Sequence, residues 1–208
     1  QLLVLLAALD EDGADPACVS ERARRRGCLP LWSRCPEQSA ATALWPWEEV
    51  LLALREADPA ALGDQDPAAR ATLERAFPLL GPGADARADD LDPSAPFRVY
   101  EAVRRALLAA ARKRPVVVAI DDLHRADEAS LHVLEWIATR SATAGILLLA
   151  AYRHNAAREE GALRAVAARL LRLPGAGAET LRELERGDVE VATRAVLGAA
   201  LQDEDVDA

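Results

Sequence analysis

The chain has 208 residues, 51% of them hydrophobic and 28% charged, the profile of a globular domain with a sizeable core and not of a disordered chain. Its formal net charge of -9 repels phosphate backbones and sets aside direct nucleic-acid binding by this chain. The longest apolar run near the start, Leu2–Leu9, falls short of the roughly 20 residues of a membrane span and lacks the basic flank and cleavage site of a secretory signal.

Gln1–Leu9 is apolar on nearly every side, and Asp10–Asp15 after it is acidic. Pro16–Arg26 reads as a short helix that ends in the basic run Arg22–Arg26, with Gly27 as its stop. Cys18, Cys28 and Cys35 lack C-x-x-C spacing. Neither a zinc site nor a disulfide framework is expected, and a reducing cytoplasm is the expected location. Cys28–Cys35 reads as a short strand, which Pro30 confines to an edge or a strand start. Pro46 opens a helix with Glu48 and Glu49 in its first turn, where negative charge suits the helix dipole. Trp47, Val50, Leu51 and Leu54 then form one apolar stripe at i, i+3, i+4 and i+7. Another helix is expected around Pro67–Phe77, stopped by Pro78. Gly81–Pro96 is loop chemistry, rich in glycine, proline and carboxylates.

Phe97–Lys113 carries an apolar face of Val99, Val103, Ala106, Leu107 and Ala110, with positive charge at its C-terminal end. Pro115 breaks that helix, and Val116–Ile120 follows as a β-branched run suited to a strand buried on both faces. Asp127 is placed to cap a helix bearing Leu131, Leu134, Ile137 and Ala138. Gly145–Ala151 reads as a second buried strand, and Leu163, Val166, Ala167 and Leu170 mark another helix. A fourth strand is expected near Arg169–Leu173, followed by two weak helices and an acidic tail, Asp203–Ala208. Helix and buried strand in alternation is the rhythm of a parallel α/β sheet.

The strongest chemical signal is VVVAIDDLHRAD, Val116–Asp127. Two carboxylates, Asp121 and Asp122, stand where a buried strand ends, and open parallel sheets bind ligands at the carboxyl ends of their strands. A carboxylate there suits the hydrated Mg²⁺ of a nucleotide, since magnesium keeps its waters and takes few protein oxygens. This is the Walker B arrangement, with Asp121 for the metal and Asp122 to orient or deprotonate water. The alternative is that both residues merely end a strand and cap a turn; the extension LHRAD into a helix favours the metal.

DDLHxAD after a short apolar strand resembles the signal-transduction ATPases of the STAND group. These are most familiar in large LuxR-type transcription regulators with an N-terminal AAA-like ATPase domain, related to the maltose-regulon activator. LWSRC at Leu31–Cys35 looks like that family's second strand, and ALWPWEEVLLAL at Ala43–Leu54 like its next helix. FRVYEAVRRALLAAARKRPVVVAIDDLH at Phe97–His124 looks like its helix leading into Walker B. ILLLAAYRHN at Ile146–Asn155 looks like its fourth strand with a sensor arginine, here Arg153. The resemblance spans about residues 28–175. It implies ATP and Mg²⁺ as cofactors, and Arg153 as the cation that reads a γ-phosphate; a solvated arginine at a strand end is the alternative.

The departure from the family is the phosphate-binding loop, G-x-x-x-x-G-K-[ST]. No such motif occurs, and Lys113 is the only lysine. Either the first strand and loop are lost, or this span omits them, or Leu2–Ala8 is the strand and the acidic run after it a degenerate loop. The chain contains no methionine, which suggests a piece of a longer protein. The expected fold is thus α/β, a parallel P-loop NTPase-like sandwich with helices on both faces, its first strand and P-loop absent or degenerate. Residues 1–27 are read as a remnant preceding the sheet, 28–175 as the ATPase-like domain, and 176–208 as a helical extension and tail. The expected function is an ATP-binding regulatory module of a LuxR-type regulator. It would contact nucleotide, further copies of itself or other domains, with little ATPase activity from these residues. The alternative is a non-catalytic scaffold for protein interaction or oligomerisation.

The remaining constellations are weak. His124, His132 and His154 do not promise a metal site, and Cys28 and Cys35 read as small core residues. Trp32, Trp45, Trp47 and Trp136 read as packing anchors, and Arg22–Arg26 as a solvated helix end with a phosphate contact as its alternative.

Overall fold

A computed structural model describes residues 4–9, 16–37, 43–81, 95–141, 144–153, 161–180 and 187. Five strands form one sheet: β1 (Val4–Leu9), β2 (Leu29–Arg34), β3 (Val116–Asp121), β4 (Ile146–Arg153) and β5 (Gly177–Thr180). Their order across the sheet is β2-β3-β4-β1-β5, and every pairing is parallel. The helices are α1 (Pro16–Arg25), α2 (Trp45–Ala57), α3 (Pro59–Gly63), α4 (Pro67–Ala76), α5 (Ala95–Ala111), α6 (Glu128–Arg140) and α7 (Ala162–Leu170).

Parallel connections are right-handed, so the direction of each crossover fixes the face its helices occupy. The chain moves from β1 across the sheet to β2, then back the other way through β3 and β4 to β5. Helix α1 therefore lies on one face, and α2–α7 on the other. Packing agrees, with α5 against α6 and α6 against α7 in a continuous layer, while α1 and α2 both rest on β2.

Side-chain alternation separates the two faces. Leu29 and Leu31, then Val116, Val118 and Ile120, then Ile146, Leu148 and Ala150 join the main core with Trp47, Leu107, Leu134 and Val166. Val117, Ala119 and Ala151 are buried outside that cluster, on the α1 face. Each fully buried Leu, Ile or Val contributes about 1.5–3 kcal/mol. Strand β3 is buried along its whole length, as its unbroken apolar sequence predicts. Strand β2 is an outer strand, the place to which Pro30 confines it.

Three expectations are corrected. The first strand is present: Val4–Leu9 pairs with β4 on one side and β5 on the other, which selects the reading of Leu2–Ala8 as that strand over its loss or omission and puts part of residues 1–27 inside the sheet. A continuous apolar run is what a parallel strand in a sheet covered by helices on both faces carries. Arg169–Leu173 is not a strand, because α7 runs through Leu170 and a turn follows. The fifth strand is Gly177–Thr180, reached after Pro174 and Gly175, the latter with φ 82. The acidic run 10–15 and most of the loop 81–96 lie outside the described residues, as does the expected helical extension and tail 176–208 apart from 187 and 176–180, where β5 stands in place of a helix.

Candidate functional site at the carboxyl rim of the sheet

All five strands point the same way, so their carboxyl ends share one rim. Arg34 closes β2, Asp121 closes β3 and Arg153 closes β4. Arg34 stands in register with Asp121, and Arg153 with Leu9 of β1. Alternation from the core residues puts Arg34, Asp121 and Arg153 on the α1 face.

Asp121 and Asp122 are both buried, at 4% and 7% exposure. Asp122 begins the departure from the strand in a left-handed conformation, φ 52 and ψ 37. Aspartate is one of the few residues besides glycine that visit this region, and the turn is held by the Asp121 side chain, whose Oδ1 accepts the Asp122 backbone N–H at 2.8 Å. Arg34 spans the pair: its Nε donates to Asp122 Oδ2 at 2.9 Å and lies 3.6 Å from Asp121 Oδ2. Those carboxylates raise the Arg34 pKa above the ordinary guanidinium value, the Asp122 hydrogen bond contributing most. Arg125 approaches Asp122 Oδ2 at 4.0 Å while pairing with Glu37 at 2.9 Å. Glu49 of α2 accepts the Arg34 backbone N–H at 3.1 Å and anchors the end of β2.

Asp127 shapes the rest of the rim. It caps α6 by accepting from Ser130 N–H at 2.9 Å, takes the Ser130 hydroxyl at 2.6 Å, and accepts the Leu44 N–H at 3.0 Å. Leu44 is itself left-handed, φ 67, at the start of α2. Trp47 fixes the same junction by donating its indole N–H to Ser130 O at 3.0 Å.

The sequence-predicted residues sort as follows. Asp121 and Asp122 are adjacent on the rim and share Arg34. Arg153 is exposed, and among the described residues it makes no hydrogen bond or ion pair. His124 is partly buried, its Nδ1 has no hydrogen-bond partner among the described residues, and burial lowers its pKa below the ordinary imidazole value. Cys35 is a buried free thiol whose pKa burial, reinforced by the nearby carboxylates, pushes up to about 12; it is a core residue, not a nucleophile. His154 lies outside the described residues. Trp47 is fully buried, as a packing anchor should be, and Arg22, Arg24, Arg25 and Arg26 are exposed. The sequence reading missed Arg34. Its signal was present, as the last residue of an edge strand whose neighbour ends in Asp121.

A family model described as AAA ATPase domain matches residues 17–149. No curated protein matches the sequence. Among solved structures, a chain of the Drosophila ORC complex bound to AT-rich DNA and Cdc6 is 11% identical with a TM-score of 0.41. The match covers 97% of this chain and 58% of that one, so the chain spans less than two thirds of that neighbour's length. VirB4 of Thermoanaerobacter pseudethanolicus is 12% identical with a TM-score of 0.31, over 98% of this chain and 75% of that one. The α/β fold, a parallel sheet of the P-loop NTPase type, stands on the strand topology and the family match together.

Proposed function

The chain belongs to the AAA ATPase domain family, and from that membership we propose that it is the ATP-responsive regulatory module of a signal-transduction ATPase in a LuxR-type transcription regulator. The observation that carries this reading is the buried Asp121–Asp122 pair at the carboxyl end of an interior strand. Mg²⁺ fits this donor set: Asp121 Oδ2 accepts no hydrogen bond among the described residues, and a hard cation needs only one or two carboxylates beside its waters. We assign Asp121 to the metal, Asp122 to the positioning of water, and Arg153 to the γ-phosphate. When bound, the metal would neutralise charge on phosphate oxygens.

The triphosphate fits less well. The sequence holds no G-x-x-x-x-G-K-[ST], and Lys113 sits at the opposite end of β3, paired with Asp58 at 2.7 Å. Residues 10–15, which join β1 to α1, carry the carboxylates Asp10, Glu11, Asp12 and Asp15, and negative charge there opposes a phosphate. These residues support no phosphoryl-transfer step, and we assign this span little or no hydrolysis. Nucleotide state would instead govern self-association or contact with other domains of a larger cytoplasmic regulator. Among the described residues, no helix is long and apolar enough to cross a membrane.

Calorimetric titration of Mg·ATP into the whole chain tests the proposal. Saturable heat that vanishes in Asp121→Ala is the expected outcome. No heat from a chain folded by circular dichroism would sink the nucleotide reading. It would favour the second one, which the missing lysine loop supports: a scaffold that keeps the sheet for protein interaction or oligomerisation.

A further inference from the structure

The rim carries a cation of its own. Arg34 reaches the two carboxylates from the neighbouring strand, at 2.9 Å from Asp122 Oδ2 and 3.6 Å from Asp121 Oδ2. Its side chain is 64% exposed, whereas those of Asp121 and Asp122 are 6% and 10% exposed. The carboxylates are therefore fixed and the guanidinium is free to swing into solvent. Among the described residues, the ion pairs at this point of the rim join two positive charges, Arg34 and Arg125, to the three negative charges of Asp121, Asp122 and Glu37. Among the described residues Asp121 Oδ2 accepts no hydrogen bond, with Arg34 Nε 3.6 Å away. A divalent cation held by these carboxylates and the Arg34 guanidinium would bring like charges to the same pair, and like charges repel.

We propose that Arg34 is a displaceable counter-ion of the Asp121–Asp122 pair, so that a divalent cation and the Arg34 guanidinium compete for the same two carboxylates. This rests on the assignment of Asp121 to the metal, and it adds a positioning residue that sets the affinity of the rim for a cation. Buried carboxylates stripped of the Arg34 guanidinium retain their charge and their geometry, because Asp122 is still tied to Asp121 through the backbone. They then attract a cation more strongly.

Mn²⁺ alone is the probe, titrated into the whole 208-residue chain and followed by the electron paramagnetic resonance signal of the free ion. Arg34→Gln is expected to bind Mn²⁺ about tenfold more tightly than the wild type, a factor of ten being about 1.4 kcal/mol. Arg34→Lys, which keeps the charge, is expected to stay near the wild-type affinity, and Asp121→Asn to abolish binding in either background. A purely structural role for Arg34 predicts the reverse, because a loosened rim binds more weakly. Equal or weaker binding by Arg34→Gln, with Asp121→Asn still abolishing it, overturns the competition alone. Binding that ignores Asp121→Asn, or no binding by wild type and Arg34→Gln alike, overturns the metal assignment and the competition with it.

Discussion

Glu101 on α5 and the Asp121–Asp122 pair on the sheet rim are both carboxylate–arginine clusters, yet they are balanced in opposite senses. At Glu101 one carboxylate meets two guanidinium groups: Arg104 donates at 2.7 and 2.8 Å and Arg105 at 3.1 Å, and the Trp136 indole adds a fourth donor at 3.3 Å. Those donors, Arg104 first, pull the Glu101 pKa down to about 2. At the rim two buried carboxylates share one close guanidinium. A carboxylate saturated by its neighbours joins helices together, here α5 to α6. A carboxylate with a lone pair to spare is available to a ligand.

The comparison breaks first at the support beneath the rim. Trp47 is fully buried and ties α2 to the first turn of α6 through Ser130 O at 3.0 Å. Trp47→Ala is expected to lower stability by about 3–5 kcal/mol, read from urea denaturation, since it leaves a cavity and removes the indole hydrogen bond to α6. A variant within 1 kcal/mol of wild type, taken as roughly the size of an ordinary surface change, would show that the rim does not rest on α2.

Glu101→Gln sharpens the contrast, with an expected loss of about 1–3 kcal/mol at neutral pH. The pH dependence gives the sign. The folded-state pKa of Glu101 is depressed from 4.5 to about 2, so its stabilisation is complete above the ordinary carboxylate value and disappears as pH falls through that window. The gap between wild type and Glu101→Gln should therefore close on acidification across it. A gap that stays constant would mean that packing of Gln, not charge, sets the difference.

These residues also show what the sequence discloses. Strands β2, β3 and β4 were legible because buried parallel strands are written as short apolar runs bounded by Pro30, Pro115 and Gly145. Strand β1 was ambiguous because one apolar run of that length serves a helix or a strand equally. Strand β5 was invisible: GAET has no apolar run, and its conformation comes from pairing with the β1 backbone. The aspartate pair was legible because both residues follow one strand. Its counter-ion was not, since Arg34 lies 88 residues from Asp122 and only the β2–β3 register brings them together.

Asp127 supplies the smallest effect and the finest test, because it stands on the same rim as Asp121 but, like Glu101, has both oxygens hydrogen-bonded. Its two oxygens accept from Leu44 N–H, Ser130 N–H and the Ser130 hydroxyl, with no guanidinium among them. Asp127→Ala removes the cap of α6 and the tie to Leu44, at an expected cost of about 1–2 kcal/mol, measured by urea denaturation. Its affinity for Mn²⁺ should stay at the wild-type value, because among the described residues both Asp127 oxygens already accept hydrogen bonds, whereas Asp121 Oδ2 accepts none. If Asp127→Ala weakened Mn²⁺ binding as strongly as Asp121→Asn does, total negative charge on the rim would govern the cation, and the distinction between saturated and spare carboxylates would fail.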